Sequence, residues 1–98
     1  MEYNAAMEKF LLETAEGYMQ ELADEVQKYD GEYKLLTHYG NMETLLGKWY
    51  ATLDILSDLP TKNEEDYPEW CKLHDKYEPF IRETFKYLET FYGKFKEV

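Results

Sequence analysis

The middle third of the chain carries the longest regular spacing of apolar residues. Seven large side chains recur there at alternating intervals of four and three residues: Leu35, Tyr39, Met42, Leu46, Trp49, Leu53 and Leu56. Because an α-helix turns about once every 3.6 residues, this spacing places all of them along one side of a helix. The pattern predicts a helix from about residue 32 to 59, ended by Pro60. One helix cannot bury such a stripe, so at least two further surfaces are expected to pack against it.

A second helix is predicted ahead of this one, from about residue 4 to 29. Its apolar stripe consists of Met7, Leu11, Ala15, Tyr18, Leu22, Val26 and Tyr29, and Phe10 widens it. The side chain of Asn4 is suited to cap the first turn, and Asp30-Gly31 is suited to end the helix. Gly17 lies inside the stretch, where glycine costs about 1 kcal/mol relative to alanine, and it marks either a close helix contact or nothing.

The third helix is predicted from about residue 68 to 96. Its stripe is Trp70, His74, Tyr77, Ile81, Leu88, Phe91 and Phe95, supported by Leu73, Phe80 and Phe85. Pro79 lies inside and has no N–H to donate, so a kink or a split is expected there. Three helices with short connections predict an all-α, antiparallel three-helix (up-down-up) bundle in one domain, residues 1–98. Breaks at Gly40-Asn41 or Pro79 would raise the count to four or five, although the stripe crosses Gly40 without changing phase.

Composition indicates a folded chain whose core is rich in aromatic residues. Leu, Ile, Val and Phe make up only about a fifth of the chain, close to the level at which disorder becomes an alternative. Ten Tyr, two Trp and four Met supply the missing apolar area. Five tyrosines fall off the main stripes: Tyr3, Tyr33, Tyr50, Tyr67 and Tyr87. We expect Tyr50 and Tyr87 to flank the core, and exposure of Leu36, Leu45 or Leu59 would favour a homodimer.

The charge balance restricts the partners that the protein can bind. The chain holds 21 acidic residues against 11 Lys plus Arg, for a formal charge of −10. Residues 80–98 carry three acids and four bases, so the surplus lies entirely before Phe80. Such a field repels a phosphate backbone and favours a basic protein surface. The ordinary alternative is that the charge serves only to keep the protein soluble.

Residues capable of catalysis or metal binding are sparse, so an enzyme is not expected. Cys71, His74 and Glu78 have helical spacing, but a closed zinc site needs a fourth ligand and the chain has no second cluster. No metal and no cofactor are therefore predicted. The single cysteine excludes an internal disulfide, and neither a secretory signal nor a membrane span is visible. These features favour a reducing cytoplasm.

The segment Asn63 to Trp70 is the strongest candidate for a binding surface. It places four carboxylates around a Tyr and a Trp just before a helix, a composition found at protein interfaces. The alternative is structural, because acids at a helix N-terminus offset the helix dipole. The predicted partner-binding residues are Glu64, Glu65, Asp66 and Glu69 in this segment, Tyr67 as the anchor, and Glu13, Glu16 and Asp24 on the first helix.

Two classes of function remain. The first is a small inhibitor or regulator that mimics nucleic acid and occupies the basic groove of a nucleic-acid-binding protein. Anti-CRISPR and anti-restriction proteins of phages and mobile elements share this size and charge, an analogy that rests on no shared motif. The second is an assembly module that forms homo-oligomers through apolar and tyrosine surface. Neither class involves direct contact with nucleic acid or a membrane, and a homodimer is left open.

Overall fold

The protein is built from three α-helices. The computed structural model describes residues 2–28, 35–62 and 65–96, with the side chains of 28, 35–37 and 90–96 excepted. Helix α1 spans Ala5–Lys28, α2 spans Leu35–Asp58 and α3 spans Glu69–Lys96. The described ranges contain no strand. The all-α prediction and the number of helices are confirmed, with observed ends within a residue or two of the predicted ones wherever both are described.

Specific backbone contacts explain where the helices begin. The Asn4 side chain accepts a hydrogen bond from the N–H of Met7 at 3.0 Å, and the Asn4 carbonyl accepts one from Glu8 at 3.1 Å. Asn4 therefore caps α1 as predicted. At the start of α3, the carbonyl of Pro68 accepts from Cys71 at 3.1 Å and from Lys72 at 3.2 Å. The predicted terminator Asp30-Gly31 lies outside the described residues.

The two positions at which a helix break was considered both lie inside continuous helices. Gly40 and Asn41 belong to α2, and Pro79 belongs to α3. A split into four or five helices is thus not found in the part of the chain that the structure describes. The unbroken heptad stripe through Gly40 predicted this outcome for α2.

One cluster of buried side chains draws on all three helices. Its largest fully buried members are Trp49, Met19, Leu22 and Met42, and the others are Ala15, Leu45, Leu46, Leu53, Leu56, Ile81 and Leu88. The stripe on α2 is confirmed wherever its side chains are described, except that Tyr39 is only half-buried. Leu45 is buried and Leu59 half-buried, so neither supplies the exposed leucine that would favour a homodimer, and the side chain of Leu36 lies outside the described residues.

The predicted stripes on α1 and α3 were too wide. Phe10 is 66% exposed, Met7 is 41% exposed and Phe85 is 42% exposed, whereas Met19 is buried although the pattern missed it. The reason is geometric, since each helix of a three-helix bundle buries only the sector that faces its two neighbours. Tyr87 flanks the core as expected, but Tyr50 is exposed.

Helix α3 packs against the other two through long aromatic side chains, while α1 and α2 approach each other more closely along their backbones. Trp49 of α2 meets Tyr77 of α3 edge to face, with ring centres 5.7 Å apart. Trp70, Tyr77 and Phe80 are half-buried against the core. The helices thus form an elongated bundle, 52 Å by 20 Å by 20 Å, with one groove between α1 and α3 and another between α1 and α2.

Candidate protein-binding surface

The groove between α1 and α3 gathers three of the predicted partner-binding residues. Glu13 and Glu16 of α1 and Glu69 of α3 line this groove of about 270 Å³ together with Lys72 and Lys76. Lys72 Nζ lies 2.9 Å from Glu69 Oε1. The groove therefore holds three carboxylates against two ammonium groups, and its charge is largely balanced from within.

Glu16 connects α1 to α3. Its Oε2 accepts hydrogen bonds from Lys76 Nζ and from the hydroxyl of Tyr77, each at 2.8 Å. The bond from Lys76 is the main reason that the pKa of Glu16 is lowered, and the bond from Tyr77 adds to it. Burial and the same carboxylate raise the pKa of Tyr77. Glu16 thus has a structural role in addition to its predicted role in binding.

The turn that leads into α3 presents the predicted anchor. Tyr67 is 56% exposed, and its hydroxyl donates to Asp75 Oδ2 at 2.7 Å, which raises the pKa of Tyr67. Asp66, Tyr67 and Glu69 line a shallow pocket of about 90 Å³ with Tyr3 and residues around it. Glu65 and Asp66 are exposed, while Glu64 lies outside the described residues. The hydrogen bond to Asp75 ties the exposed Tyr67 ring to the side of α3.

Asp24 lies apart from the other predicted residues, in the groove between α1 and α2. This groove measures about 440 Å³ and is lined by Glu21, Asp24, Glu25, Asn41, Thr44, Leu45 and Lys48. Here three carboxylates face one ammonium group. Lys48 Nζ is 5.7 Å from the centre of the Tyr18 ring. Neither Glu21 nor Asp24 forms an ion pair with any described residue.

Glu21 and Glu25 are the surface residues that the sequence analysis missed. Glu21 precedes Asp24 by three residues and Glu25 by four, so a count of acids on neighbouring turns of α1 could have found them. Glu25 also links α1 to α2, because its Oε1 accepts from Asn41 at 3.1 Å and lies 3.1 Å from Nδ1 of the buried His38. This contact depends on the register between the two helices, which the sequence does not show.

Three side chains on α3 carry the types of atom that bind metal ions. The potential ligand atoms of His74, Asp75 and Glu78 lie within 4.8 Å of one another on the surface of α3. Cys71, which the sequence grouped with His74 and Glu78, is half-buried outside this group, and burial raises the pKa of its thiol. Thiols with a raised pKa are weak ligands. Three donors, of which Asp75 is exposed and the other two are half-buried, fall short of the four of a closed zinc site.

No protein family, characterised protein or solved structure matches this chain. Within the described residues, none of the three helices is both long and apolar enough to cross a membrane. Any assignment of function therefore rests on the surface itself.

Proposed function

We propose that this protein is a small inhibitor or regulator that occupies the basic, nucleic-acid-binding surface of a partner protein, in the manner of the counter-defence proteins of phages and mobile elements. In this proposal it binds as a nucleic-acid mimic, acts in the cytoplasm, has no enzymatic activity and needs no cofactor. Its carboxylates meet Lys and Arg of the partner, and Tyr67 supplies an aromatic anchor.

The main support is that five of the eight predicted residues share one side of the molecule. Glu13, Glu16 and Glu69 line the groove between α1 and α3, and Asp66 and Tyr67 adjoin Glu69 in the shallow pocket at its end. Tyr67 is exposed, as an anchor must be before its partner arrives. Aromatic residues such as Tyr are enriched at protein interfaces, and charged residues are found at their rims.

The proposal includes an up-down-up course of the helices with a kink at Pro79. Contacts between the ends support the course: Met7 of α1, Leu56 of α2 and Trp70 of α3 line one small cavity, whereas Glu25 and His38 meet at the other end of α1. Proline removes the hydrogen bond to the carbonyl four residues back, which supports the kink. This course sets α1 and α3 side by side in the same direction and brings the predicted acids together.

A salt-gradient pull-down tests the proposal. The tagged protein is incubated with nuclease-treated host lysate, and the bound proteins are eluted by rising salt and identified by mass spectrometry. We expect a basic nucleic-acid-binding protein to elute at moderate salt, because the contact is largely ionic. Recovery of the protein itself alone, released only by denaturant, would contradict the proposal.

Charge reversal identifies the surface. The triple variant Glu64→Lys, Glu65→Lys, Asp66→Lys is expected to lose the captured partner while its helicity by circular dichroism stays unchanged. A control triple variant with the same change in charge, Asp54→Lys, Glu83→Lys, Glu89→Lys, reverses exposed acids elsewhere and should retain most of the binding. Equal loss in both triples would mean that only net charge matters.

A second candidate function is a structural module that assembles with copies of itself. The observation that favours it is the exposure of two large apolar side chains, Phe10 at 66% and Ile55 at 51%. Apolar assembly should be insensitive to salt, whereas mimicry should weaken sharply as ionic strength rises. The same gradient therefore separates the two candidates.

A further inference from the structure

The face of the bundle between α1 and α2 combines an acidic groove with an exposed apolar patch. Glu21 and Asp24 of α1, with Thr44 and Lys48 of α2, line the acidic groove and so define this face. We call it the α1/α2 face. Helix α3 lies elsewhere, since Leu12 and Glu16, on another side of α1, share their groove with Leu73 and Lys76.

Phe10 belongs to the α1/α2 face. It precedes Glu21 by 11 residues, or three turns, so the two side chains project in directions only about 20° apart. It precedes Leu12, which lines the groove with α3, by two residues, so the Phe10 side chain projects about 160° away from that of Leu12. Its side chain is 66% exposed.

Ile55 belongs to the same face by the same geometry. It follows Thr44 by 11 residues and Lys48 by seven, and each interval returns a helical side chain to within about 20° of its starting direction.

Met7 shares a small cavity with Leu56 and Leu59, which sets the first turns of α1 beside the last turns of α2. Phe10 and Ile55 therefore lie at the same end of the α1/α2 face, about 16 Å along the helix axis from the acidic groove.

We propose that the α1/α2 face binds a cationic amphipathic helix of a partner protein. The helix would lie along the groove between α1 and α2, opposite α3, as a fourth helix completes a bundle. Its apolar side chains would cover Phe10 and Ile55, and Lys or Arg three turns away on the same side would meet Glu21 and Asp24. The proposal adds a second contact to the proposed function, on a face that holds Asp24 but none of the other described partner-binding residues, and it rests on that function for a basic partner.

Charge complementarity selects this occupant over a second copy of the chain. Each copy carries a charge of −10, so two copies repel, and the three carboxylates of the groove would still face the single ammonium group of Lys48. An anionic membrane surface and a nucleic acid are disfavoured for the same reason. A helix that carries both apolar and basic side chains can cover the apolar end of the α1/α2 face and pair with the carboxylates at its acidic end.

Peptide binding tests the proposal directly. The probe is a fluorescent helical peptide of about 22 residues, with leucines at helical spacing at one end and lysines on the same side three turns away. One control peptide replaces the leucines by glutamine and keeps the charge, and another replaces the lysines by glutamate and keeps the leucines. We expect the parent peptide to bind the full-length protein, and both control peptides to bind at least about tenfold more weakly at near-physiological salt.

Variants of the protein locate the contact. Phe10→Gln and Ile55→Gln should each weaken binding of the parent peptide about tenfold or more, because apolar anchors dominate such interfaces. The matched control is Phe85→Gln, which also replaces an exposed phenylalanine. Phe85 follows Glu78 by seven residues, so the two side chains lie on the same side of α3. Burial and the nearby Glu78 carboxylate raise the pKa of Tyr50 on α2, which places this side of α3 away from α1. The Phe85→Gln variant should therefore leave binding within about twofold. Circular dichroism establishes that each variant remains folded.

Four results would overturn the proposal. These are failure of the parent peptide to bind, equal binding of the glutamine control peptide, equal loss in the Phe85 variant, or a dimer of the free protein that Phe10→Gln dissolves. The last result would assign the face to a second copy. The pull-down from lysate and the peptide assay are separate measurements. If the peptide does not bind, a partner captured from lysate still supports the proposed function, and if no partner is captured, peptide binding still supports the α1/α2 face as a binding site.

Discussion

The two grooves beside α1 contain similar numbers of acids but differ in how those acids are balanced. Between α1 and α3, Glu16 pairs with Lys76 at 2.8 Å and Glu69 pairs with Lys72 at 2.9 Å. Between α1 and α2, Glu21 and Asp24 form no ion pair with a described residue. In the first groove, Glu16 joins α1 to α3 and Glu69 pairs within α3. In the second groove, Glu25 joins α1 to α2, while the exposed carboxylates of Glu21 and Asp24 are directed at solvent.

This difference shows that a count of charges along the chain does not locate a binding surface. A carboxylate paired within the protein must lose that partner before it can meet another, whereas an unpaired one only loses water. Unpaired acids close together also repel one another, so they are costly to keep. Acids maintained at such a cost are the stronger candidates for recognition.

The largest effect on stability is expected from a substitution in the core that supports both grooves. Leu22 is fully buried in the core, so Leu22→Ala should lower the free energy of unfolding by about 2–5 kcal/mol. Chemical denaturation followed by circular dichroism measures the change. As a control, Ile55→Ala at an exposed position should cost less than about 1 kcal/mol. Similar losses at the two positions would mean that the core does not lie where we describe it.

A smaller gain is expected at Gly17. No heavy atom would lie within 4 Å of a Cβ at this position among the described residues, apart from neighbouring helix backbone. Gly17 therefore marks no close helix contact, and Gly17→Ala should raise the free energy of unfolding by about 0.5–1 kcal/mol through helix propensity. Thermal melts of the two proteins measure this. Destabilisation would indicate a contact that the structure lacks.

Removing a carboxylate from the α1/α2 face should also stabilise the protein. Asp24 lies near the C-terminal end of α1 and beside Glu21 and Glu25, where a negative charge opposes both the helix dipole and its neighbours. Asp24→Asn is expected to gain about 0.3–1 kcal/mol at low salt and less at high salt. A loss of stability would show that Asp24 has a structural partner, and the contrast between the grooves would fail.

The smallest effect is expected at Glu16, and it has the opposite sign. Its pKa is lowered from the ordinary value of 4.5, so the pairing stabilises the fold above about pH 4.5 and the benefit is lost as pH falls through the lowered pKa. Glu16→Gln should therefore destabilise the protein slightly at neutral pH and flatten the fall in stability below pH 4.5. Melting temperatures measured from pH 3 to 7 would test this, and unchanged acid sensitivity would argue against the contact with Lys76 and Tyr77.

Local features of the fold could be predicted from the sequence. The cap at Asn4 and the stripe on α2 depend on neighbouring residues alone, and both are observed. The stripe of α1 was predicted with less success. Phe10 and Met19 both fit helical periodicity, and only the positions of α2 and α3 decide that Met19 is buried and Phe10 exposed.

The surface was harder to predict than the core for the same reason. Tyr67 falls off the apolar stripes and is exposed, but the pairing of Glu16 with Lys76 joins residues 60 positions apart. Asp24 was selected as one of several acids on a solvated face. Its neighbours Glu21 and Glu25 lie on the same helix and follow from helical spacing. Its place opposite Asn41 depends on the register between α1 and α2, which local sequence does not determine.

Competition with nucleic acid is the most direct test of the central claim that this protein occupies a nucleic-acid-binding surface. The partner captured from lysate would be purified and saturated with labelled protein, and its own nucleic acid would then be added while binding is followed by anisotropy at constant salt. We predict that the nucleic acid displaces the labelled protein and that excess protein reverses the displacement. A ternary complex that holds both at once would contradict the claim.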